Sequence, residues 1–192
     1  MENSTQLSKS LPIAVQRAAS SLSLAGNIGF WVQLVLGVIA TLILLFASTT
    51  FIGGDRNDAT AQGSAFAIFC AAGGVLALIV SIIFFFRYRR MGQAMQDPDP
   101  INRPKKTFTL RMVKLGLVAN LVGMLLAIIG AEAFAGVLFA KAAKIPQGAA
   151  VFNTTALVEP VEIMVILANT HTISSHFAGI VVGLWLLDRL NR

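Results

Sequence analysis

Residues Glu162 to Asp188 read EIMVILANTHTISSHFAGIVVGLWLLD, and this stretch decides the fold. Ile163 to Leu187 is twenty-five residues long, ample for a helix crossing a hydrocarbon core of ~30 Å. The stretch is apolar at both ends and polar in the middle, the reverse of a simple anchor. Glu162, Asn169, His176 and Gly183 recur every seven residues and share one helical face, joined there by Thr172 and Gly179. Gly179-x-x-x-Gly183 is a close-packing pattern for membrane helices. Uncompensated polar groups are costly in hydrocarbon, so the striped helix belongs inside a bundle.

Working back along the chain, Lys141 to Val161 is a connection broken by Pro146, Gly148 and Pro160. Glu159-Pro160-Val161-Glu162 reads as a helix start, with proline in the first turn and acids at the positive dipole end. The Asn153-Thr154-Thr155 sequon reads as chance. Before it, Leu115 to Ala140 is another crossing. There Ala119, Gly123, Ala127, Ala131 and Ala135 recur every four residues, and Gly116, Gly123 and Gly130 every seven. Both spacings make a smooth face for a neighbouring backbone. Asn120 and Glu132 are its polar members. The tightest helix pair is expected here, with Ala119, Gly123 and Ala127 against Gly179 and Gly183.

Arg87 to Lys114 is a basic loop holding eight of the fifteen basic residues, among them Arg87, Arg89, Arg90, Lys105 and Lys106. Asp97-Pro98-Asp99-Pro100 and Arg103-Pro104 break any helix through its middle. The positive-inside rule accounts for the charge. Anionic lipid or an acidic partner is the sharper alternative. Nucleic acid is excluded as a partner, because no recognition module surrounds these charges. Further back, Ser64–Phe86 and Ile28–Ile52 are two more crossings, joined by a Gly53–Gly63 loop, with Gln33 the most polar side chain of the first. Residues 1–27 form a polar arm, read either as a membrane-surface helix after Pro12 or as disordered.

The chain is thus expected to be all-α, with a single four-helix transmembrane domain over residues 28–192. Composition agrees: of 192 residues, 56% are hydrophobic and 12% charged, with a mean hydropathy of +0.75, which excludes an ordinary soluble domain. Cys70 is the only cysteine, so an intramolecular disulfide and a CxxC metal site are excluded. No Ser-His-Asp or Cys-His constellation points to an enzyme, and no resident cofactor is indicated. The distribution of basic residues places both termini and the Arg87–Lys114 loop on the cytoplasmic or stromal side.

With the last two crossings antiparallel, Glu132 falls level with Thr170, between Asn169 and His171. His176 lies deeper, opposite Leu126 and Ala127. Glu162 and His176 are fourteen residues apart, or ~21 Å on one helix, too far to share one ion. A polar pathway would have Glu132 with Asn169 and His171 or Thr172 as its outer half and His176 as its next step inward. Imidazole plus carboxylate suits iron, zinc or manganese without selecting among them. Interhelical hydrogen bonding is the plainer role for each of these side chains.

The strings Phe30-Trp31-Val32-Gln33-Leu34, Asn120-Leu121-Val122-Gly123-Met124, Gly136-Val137-Leu138-Phe139-Ala140-Lys141-Ala142, Ala168-Asn169-Thr170 and Ser175-His176-Phe177 resemble the chloroplast inner-envelope family called permease in chloroplast, or Tic twenty-one. The resemblance runs from Phe30 to the carboxyl end and rests on order and spacing, since no single motif is diagnostic. It implies a four-helix inner-envelope protein assigned both to iron permeation and to preprotein import. Lacking the long transit peptide of the plant proteins, the chain looks like a cyanobacterial member, housed in the plasma or thylakoid membrane. Asn169 and His176 match the family pattern; Glu132 and His171 depart from it.

Three readings follow. One is an oligomeric permease subunit for a divalent metal, iron first, with His176 as the candidate ligand. The second is a translocon or assembly component packed on other membrane proteins. The third is a membrane-organising protein without a solute. The family resemblance favours transport.

Overall fold

A computed structural model describes residues 11–48, 59–143 and 160–191. Four long helices fill them: α1 Ile13–Ser48, α2 Ala59–Ala94, α3 Lys106–Ala143 and α4 Pro160–Asn191. Each is long and apolar enough to cross a membrane. Consecutive helices run antiparallel. Gly26 of α1 lies against Arg89 of α2 while Gly37 lies against Leu78, and Gly116 of α3 meets Tyr88 while Gly130 meets Ala67. Each helix packs on its two neighbours in the order α1, α2, α3, α4 and back to α1, which makes a square bundle.

A heptad-like buried stripe on each helix explains this arrangement. On α3 it is Thr109, Met112, Val113, Gly116, Asn120, Gly123, Ala127, Gly130 and Phe134. The outward positions carry large apolar side chains, such as Leu42, Leu45, Phe69, Leu76, Leu121 and Leu125. An apolar shell around a more polar interior suits lipid as the solvent.

Two apolar layers cap the bundle. Ala19, Leu22 and Ala25 pack with Phe85, Tyr88, Met112, Val113, Leu186 and Leu190 at the end that carries the basic residues. Ala47, Ala67, Phe134 and Val165 form the layer at the other end.

Three boundaries differ from the sequence reading. Residues 13–27, read as part of a polar arm, are the first turns of α1, which starts at Ile13 and packs there on α2, α3 and α4. Ala19, Leu22 and Ala25 continue the buried spacing of the crossing back towards Ile13, a signal hidden by the polar residues between them. The Arg87–Lys114 segment is mostly helix, since α2 persists to Ala94 and α3 begins at Lys106. Only the proline-rich centre turns, where Asp99 caps a 3-10 turn over Pro100–Asn102 by accepting from the Ile101 amide. The other two connections, with Asn153 and its sequon, lie mostly outside the described residues.

The expected tight pairing of α3 on α4 is also corrected. At the glycines, the closest approaches to another helix's backbone are between α2 and α1 and between α2 and α3. A Cβ at Gly26 would lie 2.6 Å from the Arg89 nitrogen, and one at Gly130 would lie 3.1 Å from both the Ala67 oxygen and the Ala71 nitrogen. Gly123 and Gly179 do not face each other. They make room for the side chains of His176 and of Gln33 and Asn120. Gly183 faces the Leu117 side chain, and Ala119 is only half-buried. Small residues accommodated polar side chains here, which spacing alone does not distinguish from backbone contact.

Candidate functional site: a buried polar layer

Between the apolar caps, all four helices contribute to one polar layer. Gln33 of α1, Ser81 of α2, Asn120 of α3 and Ser175 and His176 of α4 are fully buried. The Gln33 side-chain amide donates from Nε2 to Asn120 Oδ1 at 2.6 Å and to the Ser175 carbonyl at 3.2 Å. Its oxygen accepts from the Ser81 hydroxyl at 2.8 Å. Asn120 Nδ2 donates to the Gly116 carbonyl one turn back, at 3.0 Å. His176 Nε2 lies 3.1 Å from the Gly74 carbonyl, an acceptor like the oxygen facing Nδ1, so a neutral ring, with one N–H, donates to one of the two at a time. Nδ1 lies 3.0 Å from Asn120 Oδ1.

This layer fixes the helices in depth and rotation. A shift of α1 by one residue would carry Gln33 away from three partners on three other helices. Interhelical hydrogen bonds of this kind contribute about 0.6 kcal/mol each in a bilayer, rising to about 2. Each ring nitrogen of His176 has a protein oxygen about 3 Å away, so a metal at His176 requires displacing Gly74 or Asn120. Among the described residues, no three His, Cys, Asp or Glu side chains come together as a metal-binding group.

The rest of the helix-four stripe faces inward too, with separate roles. Thr172 bonds its own Ala168 carbonyl at 2.9 Å. Asn169 donates to the Val165 carbonyl at 3.1 Å, and its buried Oδ1 has no partner. Glu162 pairs with Lys141 of α3, 3.0 Å away, at the end opposite the basic residues. Sequence reading did not find that partner, because Lys141 stood in the connection rather than on the helix. The pair is partly solvated, with the lysine side chain 23% and the glutamate 11% exposed. Lys141→Gln is therefore expected to lower stability by no more than about 1 kcal/mol, read from unfolding in detergent with and without salt.

Glu132 does not join the stripe. It is exposed on the outer face of α3, two residues past buried Gly130 on the other side of the helix. His171 is half-buried and takes no part in the polar layer. Gln33, Ser81, Asn120 and Ser175 are the members that sequence reading missed as site residues. The available signal was Gln33, a lone amide within an uncharged crossing.

Fold and site together define a multi-pass integral membrane protein, a four-helix bundle keyed by a buried polar layer. The chain belongs to the family described as "Protein of unknown function (DUF3611)", which matches residues 12–191. It is 31% identical over 167 residues to Protein TIC 21, chloroplastic, of Arabidopsis thaliana, covering 84% of this chain and 54% of that protein. The chain thus spans about half the length of this curated relative, and the resemblance read from residues 30–192 holds. No solved structure matches.

Proposed function

We propose that the protein is an assembly subunit of its membrane, working as a pair of copies joined through the outer face of α3. The observation that supports this is Glu132. Nine residues before Lys141, it sits ~13 Å below that end of the crossing, and it points outward. Among the described residues, none bonds or pairs with its carboxyl group. Ionisable groups within a bilayer face a bundle interior or a partner, because lipid supplies no hydrogen bonds.

The same face carries Gly136 and Ala140 at four-residue spacing, both exposed, and among the described residues beyond its own helix backbone a Cβ at Gly136 would meet nothing within 4 Å. A twofold axis along the membrane normal brings two such faces together. The two Glu132 carboxyls then bond through a shared proton, and the glycines let the backbones approach. Glu132→Gln is expected to keep the pair and Glu132→Leu to weaken it at least tenfold, measured by native mass spectrometry across a detergent dilution series. Equal pairing in all three would exclude this face.

Iron permeation, which the family resemblance implies, is the competing reading. It needs the polar layer to open, since Gln33, Asn120 and His176 occupy the bundle centre. In proteoliposomes holding a fluorescent iron indicator, no ferrous flux above empty vesicles is expected. Flux that His176→Ala abolishes, with the helix content intact, would establish the permease.

The end bearing Arg87 to Lys114 and both termini is assigned to the cytoplasmic or stromal side. In a Cys70→Ala background, Gln93→Cys is expected to react with an impermeant maleimide only after permeabilisation. Reaction in intact cells would invert the topology.

A further inference from the structure

A hollow of about 840 Å³ opens at the basic end of the bundle, and it has no part in the polar layer or the α3 outer face. Four cationic side chains line it, each from a different segment: Arg17 of α1, Arg103 of the α2–α3 connection, Lys106 of α3 and Arg189 of α4. Among the described residues, no acidic side chain is part of the lining. A solvated basic face normally spreads its charges apart. Here four converge on one cavity, which raises its potential and favours an anion.

Two of the four are held in place without being neutralised. Arg103 donates from Nε to the Asp97 carbonyl at 2.9 Å and from Nη2 to the Pro98 carbonyl at 3.1 Å, which uses backbone dipoles rather than a carboxylate. The Arg189 guanidinium lies 5.7 Å from the centre of the Trp185 ring. Ser20, Ser21 and Thr109 add hydroxyls to the lining. Lys106 opens α3, whose first amides form a positive dipole end at the same cavity. Residues 1–10 hold one glutamate and one lysine, so they bring no net side-chain charge to balance the four.

We infer that this vestibule binds a soluble, multiply charged phosphate ester. Size and charge argue together. The volume falls in the range of small-molecule sites, far above one phosphate ion, and four cations suit two or more phosphoryl groups better than one. Val15, Ala18, Leu110 and Leu190 offer an apolar wall for the organic part. Arg17 is eleven residues, or ~16 Å of helix, before Ile28, where the crossing read from the sequence begins.

The test uses the full chain in nanodiscs of zwitterionic lipid, with adenosine diphosphate, pyrophosphate and inorganic phosphate as probes. Binding is read by calorimetry and by Trp185 emission. Saturable binding is expected for the first two, at least tenfold tighter than for inorganic phosphate. Arg17→Gln with Lys106→Gln is expected to weaken it at least tenfold. Arg87→Gln with Lys114→Gln removes the same charge from outside the cavity and is expected to change it less than threefold. Absence of saturable binding, or equal loss in both double variants, would overturn the inference. So would thermal stabilisation by phosphatidylglycerol nanodiscs that the soluble probes fail to compete, since the ligand would then be a lipid. None of these results depends on whether the protein pairs through α3.

Discussion

Gly26→Leu is expected to prevent folding or to leave a bundle that falls apart on mild heating. The new Cβ would lie 2.6 Å from the Arg89 nitrogen and 2.9 Å from the Phe85 oxygen, both backbone atoms of α2. No rotamer change relieves such a contact, so α1 and α2 must separate. Gly92 makes the same approach from the other side, against the Ala19 oxygen at 2.8 Å and the Ser23 nitrogen at 2.9 Å. Separation therefore loosens the whole basic-end core, from Leu22 to Tyr88. Leucine gains about 1 kcal/mol of helix propensity over glycine, against about 3 kcal/mol for overpacking, and the clash wins. Ala72→Leu, on the exposed face of α2, is the control and is expected to change nothing. Yield and thermal melting in detergent decide it: equal melting of Gly26→Leu and wild type would show that this pair of helices is misplaced.

The second large effect separates two asparagines that look alike on paper. Asn120→Leu removes the oxygen to which Gln33 Nε2 donates and which His176 Nδ1 faces at 3.0 Å, leaving the buried layer short of a partner. A loss of about 2 kcal/mol is expected. Asn169→Leu removes an amide whose Oδ1 is already without a partner and whose Nδ2 bonds only its own helix. That substitution is expected to be neutral, or stabilising by up to about 1 kcal/mol, because an unpaired buried oxygen is itself costly. Reversible unfolding in mixed micelles gives both values side by side. A greater loss at Asn169 than at Asn120 would mean that the hub lies elsewhere on the stripe.

The four crossings and the inward stripe of α4 were legible because a bilayer imposes length and hydropathy on every spanning helix. The least hydropathic span is α4, at 1.3 against 2.2 to 2.7 for the others, which is why its polar face stood out. The partners of that face were not legible. Gln33 and Ser81 come from helices that read as plain anchors, and pairing across a bundle depends on rotations that no one-helix pattern encodes. Glu132 was misplaced for the same reason. Depth along α3 follows from the rise per residue, but its azimuth follows from which stripe is buried, and the glycines at 116, 123 and 130 fix that. The extension of α1 back to Ile13 escaped because polar residues dilute the hydropathy there, whereas Ala19 and Leu22 are buried by other helices.

Pairing of two copies through α3 is tested most directly by a cross-link in the native membrane. Gly136→Cys in a Cys70→Ala background places a thiol on the exposed face, where a Cβ meets no other part of the described residues, beyond its own helix backbone, within 4 Å. Mild oxidation is expected to give a species of twice the 20.4 kDa chain mass. Adding Glu132→Leu is expected to reduce it at least tenfold, while Thr170→Cys, exposed on α4, gives none. A monomer band alone from Gly136→Cys, or a cross-link indifferent to Glu132, would contradict the pairing.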